Sequence, residues 1–180
     1  MWKRLGGLVL AALITSLSLI GCGQTAAGSE STAETKPDGS FREIDMTDAE
    51  ISVDALAAYL LEKIAFADTL VPMEPEIAGK LYGIQNLVES VVGYGSTGAT
   101  AEAILVVACA DEENARAARA CVEKYRTEMA EIYADYNATE AQKLRRALLE
   151  QNGRYVIYCV APDTDAAAEA YRAFFLPENP

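Results

Sequence analysis

The sequence of 180 residues contains no histidine, and this absence removes several kinds of chemistry. Histidine is the side chain most often used as a general base and as a metal ligand near neutral pH. Without it, the chain has no Ser–His or Cys–His couple for nucleophilic catalysis. Tryptophan is almost absent too, because the one indole, Trp2, lies at the extreme N-terminus. A carbohydrate site that stacks a sugar on an indole is therefore not expected in the folded domain.

Basic residues are also scarce. The chain has 15 Lys and Arg against 27 Asp and Glu, which gives a formal net charge of -12. So acidic a surface repels the phosphates of nucleic acids, and we expect no nucleic-acid partner. Hydrophobic residues make up 51% of the chain, enough for a core, so global disorder is excluded. The length suits one domain with an N-terminal tail.

The N-terminus has the pattern of a secretory signal. Lys3 and Arg4 precede an apolar run that extends from Leu5 to Ile20, shorter than the roughly 20 residues that a membrane-spanning helix needs. The following Leu19-Ile20-Gly21-Cys22 resembles the lipobox of bacterial lipoproteins. We predict that residues 1–21 are a signal peptide and that Cys22 is lipidated as the mature N-terminus. The alternatives are a plain signal peptide and an uncleaved anchor with an incidental cysteine.

Residues 22–46 have the composition of a flexible tether. Residues 24–40 are rich in Gly, Ser, Thr and Ala and contain no large apolar side chain. Removing residues 1–21 takes away two cations and no acid, so the formal charge changes from -12 to -14. We therefore expect a globular domain over residues 47–180, held off an anionic bilayer on the outer face of the plasma membrane.

Hydrophobic periodicity predicts an α+β domain with the element order α–(α)–β–β–α–α–β–α. The expected sheet is small and mainly antiparallel, with three strands and with helices packed on it. The predicted strands are 87–94, 103–109 and 154–160. The predicted helices are 53–67, a short one opened by Pro75 and ended by Gly83, a long one from Asp111, one over 139–150 capped by Thr139, and a last one capped by Asp163 or Thr164. Ser52 and the Thr47–Glu50 capping box are the candidate starts of the first helix.

Several finer expectations concern burial. In the first strand, Val88, Val92 and Tyr94 are expected on one face, with Leu87 and Val91 on the other. The long helix is expected to bury one stripe, formed by Ala115, Ala118, Val122, Tyr125, Met129, Ile132 and Tyr136. The abundant tyrosines have two interpretations, a core edge or an exposed contact surface. Tyr155 and Tyr158 fall on opposite faces of one strand, so a one-sided sheet would bury at most one of them.

Gly93-Tyr94-Gly95-Ser96-Thr97-Gly98 matches G-x-G-x-x-G, the fingerprint of dinucleotide-binding folds. The fingerprint requires a helix directly after the glycines, whereas an apolar strand is predicted there. A glycine-rich hairpin turn explains the same residues. We favour the hairpin and expect no cofactor.

Three cysteines lie in the predicted domain: Cys109, Cys121 and Cys159. Their spacing matches no zinc pattern. A Cys109–Cys159 disulfide between neighbouring strands remains an alternative to three reduced thiols in the core, which we favour because each cysteine has an apolar context.

Two acidic clusters, Asp111-Glu112-Glu113 and Asp163-x-Asp165, are candidate calcium ligands. Neither has the loop spacing of an EF-hand, and both immediately precede predicted helices. Helix capping is therefore the favoured interpretation, and we expect no metal site.

Short segments of the chain resemble a family of uncharacterised bacterial lipoproteins, the domain of unknown function 4358 family. They are Tyr82-Gly83-Ile84, Gly98-Ala99-Thr100-Ala101-Glu102, and Gly153-Arg154-Tyr155-Val156-Ile157 before Ala161-Pro162-Asp163. The resemblance extends over residues 52–175. It implies a lipid-anchored extracytoplasmic protein of Gram-positive anaerobes, and it implies no activity and no functional residues. Where the family usually has a proline after a Tyr-Asn pair, this chain has Ala138.

Taken together, the residues favour a lipid-anchored, non-enzymatic interaction module of the cell envelope, with the membrane and another envelope protein as partners. One alternative is a small-ligand or cation-binding accessory lipoprotein of a transporter. A hydrolase that uses a pair of carboxylates is a third, less favoured hypothesis.

Overall fold

Two uninterrupted apolar runs form the centre of the structure. The computed structural model describes residues 50–176, and in it Ala103–Cys109 and Tyr155–Val160 are adjacent antiparallel strands. Every residue in both strands is buried. Burial on both sides of a sheet explains why these strands have no alternating polar residues.

The described residues form ten elements. The helices are α1 (Val53–Lys63), α2 (Pro75–Tyr82), α3 (Glu112–Ala134), α4 (Ala138–Arg146) and α5 (Thr164–Ala173). The strands are β1 (Leu70–Met73), β2 (Val88–Ser96), β3 (Ala103–Cys109), β4 (Leu148–Asn152) and β5 (Tyr155–Val160). All neighbouring strands are antiparallel, in the order β1-β2-β3-β5-β4.

The sheet lies between two helical layers. On one side, Ile104 and Val106 of β3 join α1 and α5 in what we call the α1/α5 core. On the other side, Leu105 and Val107 join α2, α3 and α4 in the α2–α4 core. The prediction of an α+β domain is confirmed, and the prediction of a three-stranded sheet is wrong because the sheet has five strands.

Both missed strands lie at the edges of the sheet. β1 is four residues long and contains Pro72, which breaks any sequence pattern but is tolerated on an edge strand. The predicted helix 139–150 includes the first residues of β4. That helix ends at Arg146, and Leu148 and Leu149 then point into opposite cores, as consecutive strand residues do.

Other boundaries also shift. α1 ends at Lys63 rather than at residue 67. Its N-cap is Ser52, one of the two predicted candidates, and the Ser52 hydroxyl accepts from the Ala55 N–H. The N-cap of α4 is Asn137, not Thr139. Gly83 ends α2 in the left-handed conformation, as predicted. The capping box begins outside the described residues.

The predicted buried stripe of α3 holds only for its first part. Ala115, Ala118 and Val122 are fully buried, whereas Ile132 is 53% and Tyr136 67% exposed. The prediction followed a 3.5-residue repeat, and a straight helix drifts about 20° per heptad from that repeat. The true stripe therefore passes through Ala130 and Tyr133 instead.

Two further expectations about faces are corrected. A bulge between Val88 and Ser90 turns Val88 towards the α2–α4 core, the side of Val91, rather than the side of Val92. Tyr155 and Tyr158 do lie on opposite faces, yet both are buried because helices cover both faces.

Candidate functional site

The buried charged residues of the described chain meet at one end of the sheet. Glu102, directly before β3, is 1% exposed, and Glu140 in α4 is 6% exposed. The ammonium of Lys143, whose side chain is 14% exposed, lies between them, 2.7 Å from Glu102 Oε1 and 2.9 Å from Glu140 Oε1. We call these three residues the Glu102–Lys143–Glu140 cluster.

Each carboxylate oxygen of this cluster accepts at least one hydrogen bond. Glu102 Oε2 accepts from the backbone N–H groups of Ala67 (2.8 Å) and Asp68 (3.1 Å), in the loop after α1. Glu140 Oε2 accepts from the N–H of Ala101 (2.8 Å). The cluster therefore connects the α1–β1 loop, the start of β3 and α4. Its carboxylates are satisfied acceptors, as buried charges must be.

The electrostatics of the cluster favour a charged lysine. Burial alone would lower the pKa of Lys143, but hydrogen bonds to Glu102 and Glu140, with the attraction of both carboxylates, raise the pKa overall. A lysine that acts as a base needs a lowered pKa. The cluster therefore has the chemistry of a structural ion pair.

A second polar group joins the loop before β1 to the β2–β3 turn. Asp68 Oδ2 accepts from Ser96 Oγ (2.7 Å), the Thr97 N–H (3.0 Å) and Thr97 Oγ1 (2.9 Å). These hydrogen bonds, first that from Ser96, lower the pKa of Asp68. Ser96 Oγ in turn accepts from the N–H groups of Gly98 and Thr100. The carboxylate thus holds the turn in a fixed shape.

The glycine motif belongs to this hairpin. Gly93 and Gly95 lie within β2, Gly98 occupies the turn with φ of 107°, and strand β3 follows, where a dinucleotide fingerprint requires a helix. Gly93 has a packing reason as well: a Cβ there would be 3.2 Å from Met73 Cε and 3.3 Å from Ala78 Cβ. The hairpin interpretation of the motif is confirmed.

The three cysteines are free thiols. Cys109 points into the α2–α4 core and Cys159 into the α1/α5 core, and Cys159 is paired with Ile104 at the far end of β3. The two sulfurs are therefore on opposite faces of the sheet, which excludes a bond between them. Burial raises the pKa of Cys109 to about 11 and that of Cys159 to about 12, so neither is a thiolate at neutral pH. Cys121 is half-buried.

The two acidic clusters cap helices, as predicted. Asp111 accepts from the Asn114 N–H at the start of α3, and Asp163 accepts from the N–H groups of Asp165 and Ala166 at the start of α5. Within residues 50–176, no three His, Cys, Asp or Glu side chains are arranged to hold a metal ion.

Three tyrosines pack together in the α2–α4 core. The Tyr82 ring lies edge-on to Tyr125, with centroids 4.6 Å apart, and to Tyr158 at 5.9 Å. The Tyr158 hydroxyl is buried, and no described residue forms a hydrogen bond with it. Burial raises the pKa of Tyr158 and that of Tyr82 far above the usual value. Most tyrosines are thus core or core-edge residues, and Tyr136 is the clear surface exception.

An open groove of about 490 Å³ lies where the described chain begins. It is lined by Glu50, Asp54 and Glu89 on the acidic side and by Arg154. Arg154 donates to Glu89 Oε2 (2.7 Å) and to the Cys109 carbonyl (3.1 Å). The buried Tyr155 hydroxyl accepts from the Ile51 N–H (3.0 Å) beneath it. The groove is acidic and has one arginine already paired.

Large apolar side chains are exposed on α2, α3 and β1, in the turn after α3, and after the end of α5. Ile77 and Leu81 are four residues apart and therefore adjacent on one side of α2. The described set is Val71, Ile77, Leu81, Ile132, Tyr136 and Leu176. Among the helices of residues 50–176, none has the length and apolar character that a membrane span requires.

Comparison with known proteins places these features in a family. The sequence model of the Domain of unknown function (DUF4358) family matches residues 65–161. The chain belongs to this family. The match contains all five strands, α2 to α4 and the Glu102–Lys143–Glu140 cluster, while α1 and α5 lie outside it. No curated protein and no solved structure matches the chain.

The cluster was not predicted from the sequence, although its signals are visible. Glu102 is the one charged residue beside an otherwise apolar strand, and it ends a segment that carried the resemblance to the DUF4358 family. Glu140 and Lys143 have the i, i+3 spacing of a helical ion pair. Cys22, the predicted lipidation site, lies outside the described residues.

Replacing Lys143 tests the role of the cluster. Lys143→Met leaves two buried carboxylates without their cation, so we expect the free energy of unfolding to fall by about 3–5 kcal/mol. Lys80→Met, which breaks an exposed ion pair with Glu76, is the matched control and should cost less than about 1 kcal/mol. Chemical denaturation followed by circular dichroism measures both.

The stability that Lys143 contributes to the folded protein should depend on pH. Because the pKa of Lys143 is raised by folding, its contribution is complete below the unfolded value of about 10.4 and is lost as the pH rises through the folded value. The stability difference between wild type and Lys143→Met should therefore narrow above about pH 10. A difference that is small at pH 7, or that grows in alkali, would contradict this account.

Removing the buried Tyr158 hydroxyl should stabilise the protein, in contrast to the replacement of Lys143. Tyr158→Phe removes an unsatisfied buried group, so the free energy of unfolding should rise by about 1–3 kcal/mol. Tyr155→Phe is the control, because it removes the acceptor of the Ile51 N–H and should lower stability by a similar amount. Thermal unfolding of both variants measures the signs, and a destabilised Tyr158→Phe would show that the hydroxyl has a hydrogen-bonding partner.

Proposed function

We propose that this DUF4358 protein is a lipid-anchored interaction module of the cell envelope. Residues 1–21 act as the signal peptide, Cys22 carries the lipid, and residues 22–46 serve as a tether. The domain then stands on the outer face of the plasma membrane. Its partners are the membrane, through the lipid, and another envelope protein.

The anchor is supported by the sequence alone. The basic start, the short apolar run and Leu19-Ile20-Gly21-Cys22 occur in the order that lipoprotein export requires. The lipid on one cysteine provides the multiple acyl chains that stable membrane attachment needs. The strongly acidic mature chain favours a domain that stays away from an anionic membrane surface.

The main support for the interaction role is that the buried charges of the described residues are paired with one another and with backbone groups. Catalytic sites usually contain charged groups whose pKa values are shifted towards neutrality. Here the buried carboxylates of Glu102 and Glu140 are bonded to Lys143 and to backbone N–H groups, and the lysine is held charged. The surface instead presents apolar side chains such as Ile77 and Leu81, which are typical of protein contacts.

The groove between Asp54 and Arg154 supports a second candidate. Its three acids and one arginine suit a small ligand with a cationic group, which is the accessory-lipoprotein hypothesis. A thermal-shift screen with small cationic ligands distinguishes the two functions, because ligand binding raises the melting temperature. The carboxylate hydrolase has no specific support from the geometry of the described residues.

The anchor is tested by replacing the lipidated residue. We expect Cys22→Ala to abolish lipidation, so the protein is released into the medium or remains unprocessed. Cys121→Ala, which changes a half-buried thiol of the domain, is the control and should stay on the membrane. Membrane fractionation with intact-mass analysis measures both, and a Cys22→Ala chain that matures normally on the membrane would refute the anchor.

The interaction role is tested by crosslinking in intact cells, followed by mass spectrometry of proteins retained with the tagged wild type. We expect one dominant envelope protein in near-equal amount, and its yield should fall on replacement of Leu81 by Asp, which places a charge on the exposed side of α2. Glu76→Ala on the same helix is the control. An unchanged set of proteins with Leu81→Asp would exclude α2 as the contact, and the absence of any partner would favour the small-ligand role.

A further inference from the structure

The β4–β5 hairpin is closed by a turn at Gly153 and Arg154, which directly follow Asn152. Gly153 has a φ of 52°. A Cβ built on it would have no heavy atom within 4 Å among residues 50–176, apart from its chain neighbours. Asn152 and Gly153 are both partly exposed. The turn therefore lies at the surface, with open space beside the glycine.

Three side chains connect this turn to three different parts of the fold. Gln151 Nε2 donates to a backbone carbonyl at the start of α3 (3.4 Å). Arg154 forms an ion pair with a carboxylate of β2 (2.7 Å). The side-chain amide of Asn152 donates to the hydroxyl oxygen of Tyr171 in α5. Burial raises the pKa of Tyr171, and this hydrogen bond opposes the rise.

The pair Asn152-Gly153 combines an amide carbonyl carbon with an unhindered backbone nitrogen. Gly153 has no Cβ to keep its nitrogen away from Cγ of Asn152. Its N–H donates to no other group within residues 50–176. The other asparagines of that range, which precede leucine or alanine, are Asn86, Asn114 and Asn137. Asn152 is therefore the asparagine at which attack by the following nitrogen is least hindered.

We propose that Asn152 is a site of spontaneous covalent modification, at which the Gly153 nitrogen attacks the side-chain amide, and that the hydrogen bond to Tyr171 restrains this reaction. The Gly153 nitrogen forms a bond to Cγ of Asn152, the Cγ–Nδ2 bond breaks, and Nδ2 leaves as ammonia with the proton of the Gly153 N–H. Because both reacting groups belong to neighbouring residues, the attack is intramolecular and needs no enzyme.

Water completes the reaction by opening the cyclic imide. Addition of water at Cγ gives aspartate, and addition at the main-chain carbonyl carbon of residue 152 gives isoaspartate. The net change consumes water and releases ammonia, and it needs no other reactant. Isoaspartate lengthens the main chain by a carbon at the pair of Asn152 with Tyr155, which closes the hairpin. Modification therefore displaces the turn that Gln151 and Arg154 connect to α3 and β2.

The contact with α5 controls how often the side chain can react. While Asn152 donates to Tyr171, its amide is held in one orientation, and ring closure requires that this hydrogen bond breaks first. The Tyr171 ring is itself fixed against Phe175, with centroids 5.3 Å apart. The rate of modification should therefore report on the docking of α5, and it does not depend on the lipid anchor.

Peptide mapping by mass spectrometry of the purified protein, incubated in neutral and in mildly alkaline buffer, tests the proposal. We expect the peptide that contains Asn152 to exchange NH for O, with part of the product as isoaspartate. The reaction should be faster in alkaline buffer, because the attacking nitrogen must lose its proton. Asn86, Asn114 and Asn137 are internal controls and should remain unmodified over the same period.

Two variants test the two parts of the proposal. Gly153→Asn keeps a residue that tolerates a positive φ but adds a side chain, so the rate at Asn152 should fall about tenfold or more. Tyr171→Phe removes the acceptor and keeps the ring, so the rate should rise about two- to tenfold. Tyr59→Phe in α1 is the matched control and should leave the rate unchanged. Circular dichroism checks that each variant folds.

The outcomes that contradict the proposal are distinct. Modification of Asn152 no faster than that of the three control asparagines would overturn the site. An equal rate in wild type and Tyr171→Phe would overturn the restraint by α5. Neither result bears on the anchor, which Cys22→Ala tests separately.

Discussion

The carboxylate of Glu102 is the interaction on which one end of the domain depends. It is buried at the head of the central strand, where an uncompensated charge would cost several kcal/mol, so Lys143 and two backbone N–H groups must reach it together. This requirement fixes the position of α4 against the sheet and of the α1–β1 loop across its end. An apolar residue would impose no such geometry. A buried ion pair of this kind specifies an arrangement more than it adds net stability.

The second constraint is that helices cover both faces of the sheet. It leaves β3 and β5 without a solvent-facing side, and it explains why tyrosines on opposite faces of β5 are both buried. Tyr155 finds a hydrogen bond from Ile51, at the entrance to α1, whereas Tyr158 packs against Tyr82 with an unpaired hydroxyl. Both faces of the sheet therefore bury a tyrosine ring of β5, but only the hydroxyl on the α1/α5 side has a hydrogen bond among the described residues.

Sequence patterns predicted the helix caps, which depend on local chemistry. Ser52, Gly83, Asp111 and Asp163 begin or end helices where expected, because caps are decided within a few residues. The sequence did not predict the two edge strands because the residues of β1 and β4 have only a weak strand pattern of their own. Pairing with β2 and with β5 gives them their extended conformation. The cluster was missed for a related reason: Glu102 and Lys143 are 41 residues apart, and only the packing of α4 brings them together.

These constraints also explain where function remains possible on this domain. The strongest electrostatic interactions serve the fold, and the thiols have raised pKa values in the cores. Two surface features of the described residues are suited to recognition: the apolar side of α2 and the acidic groove beside Arg154.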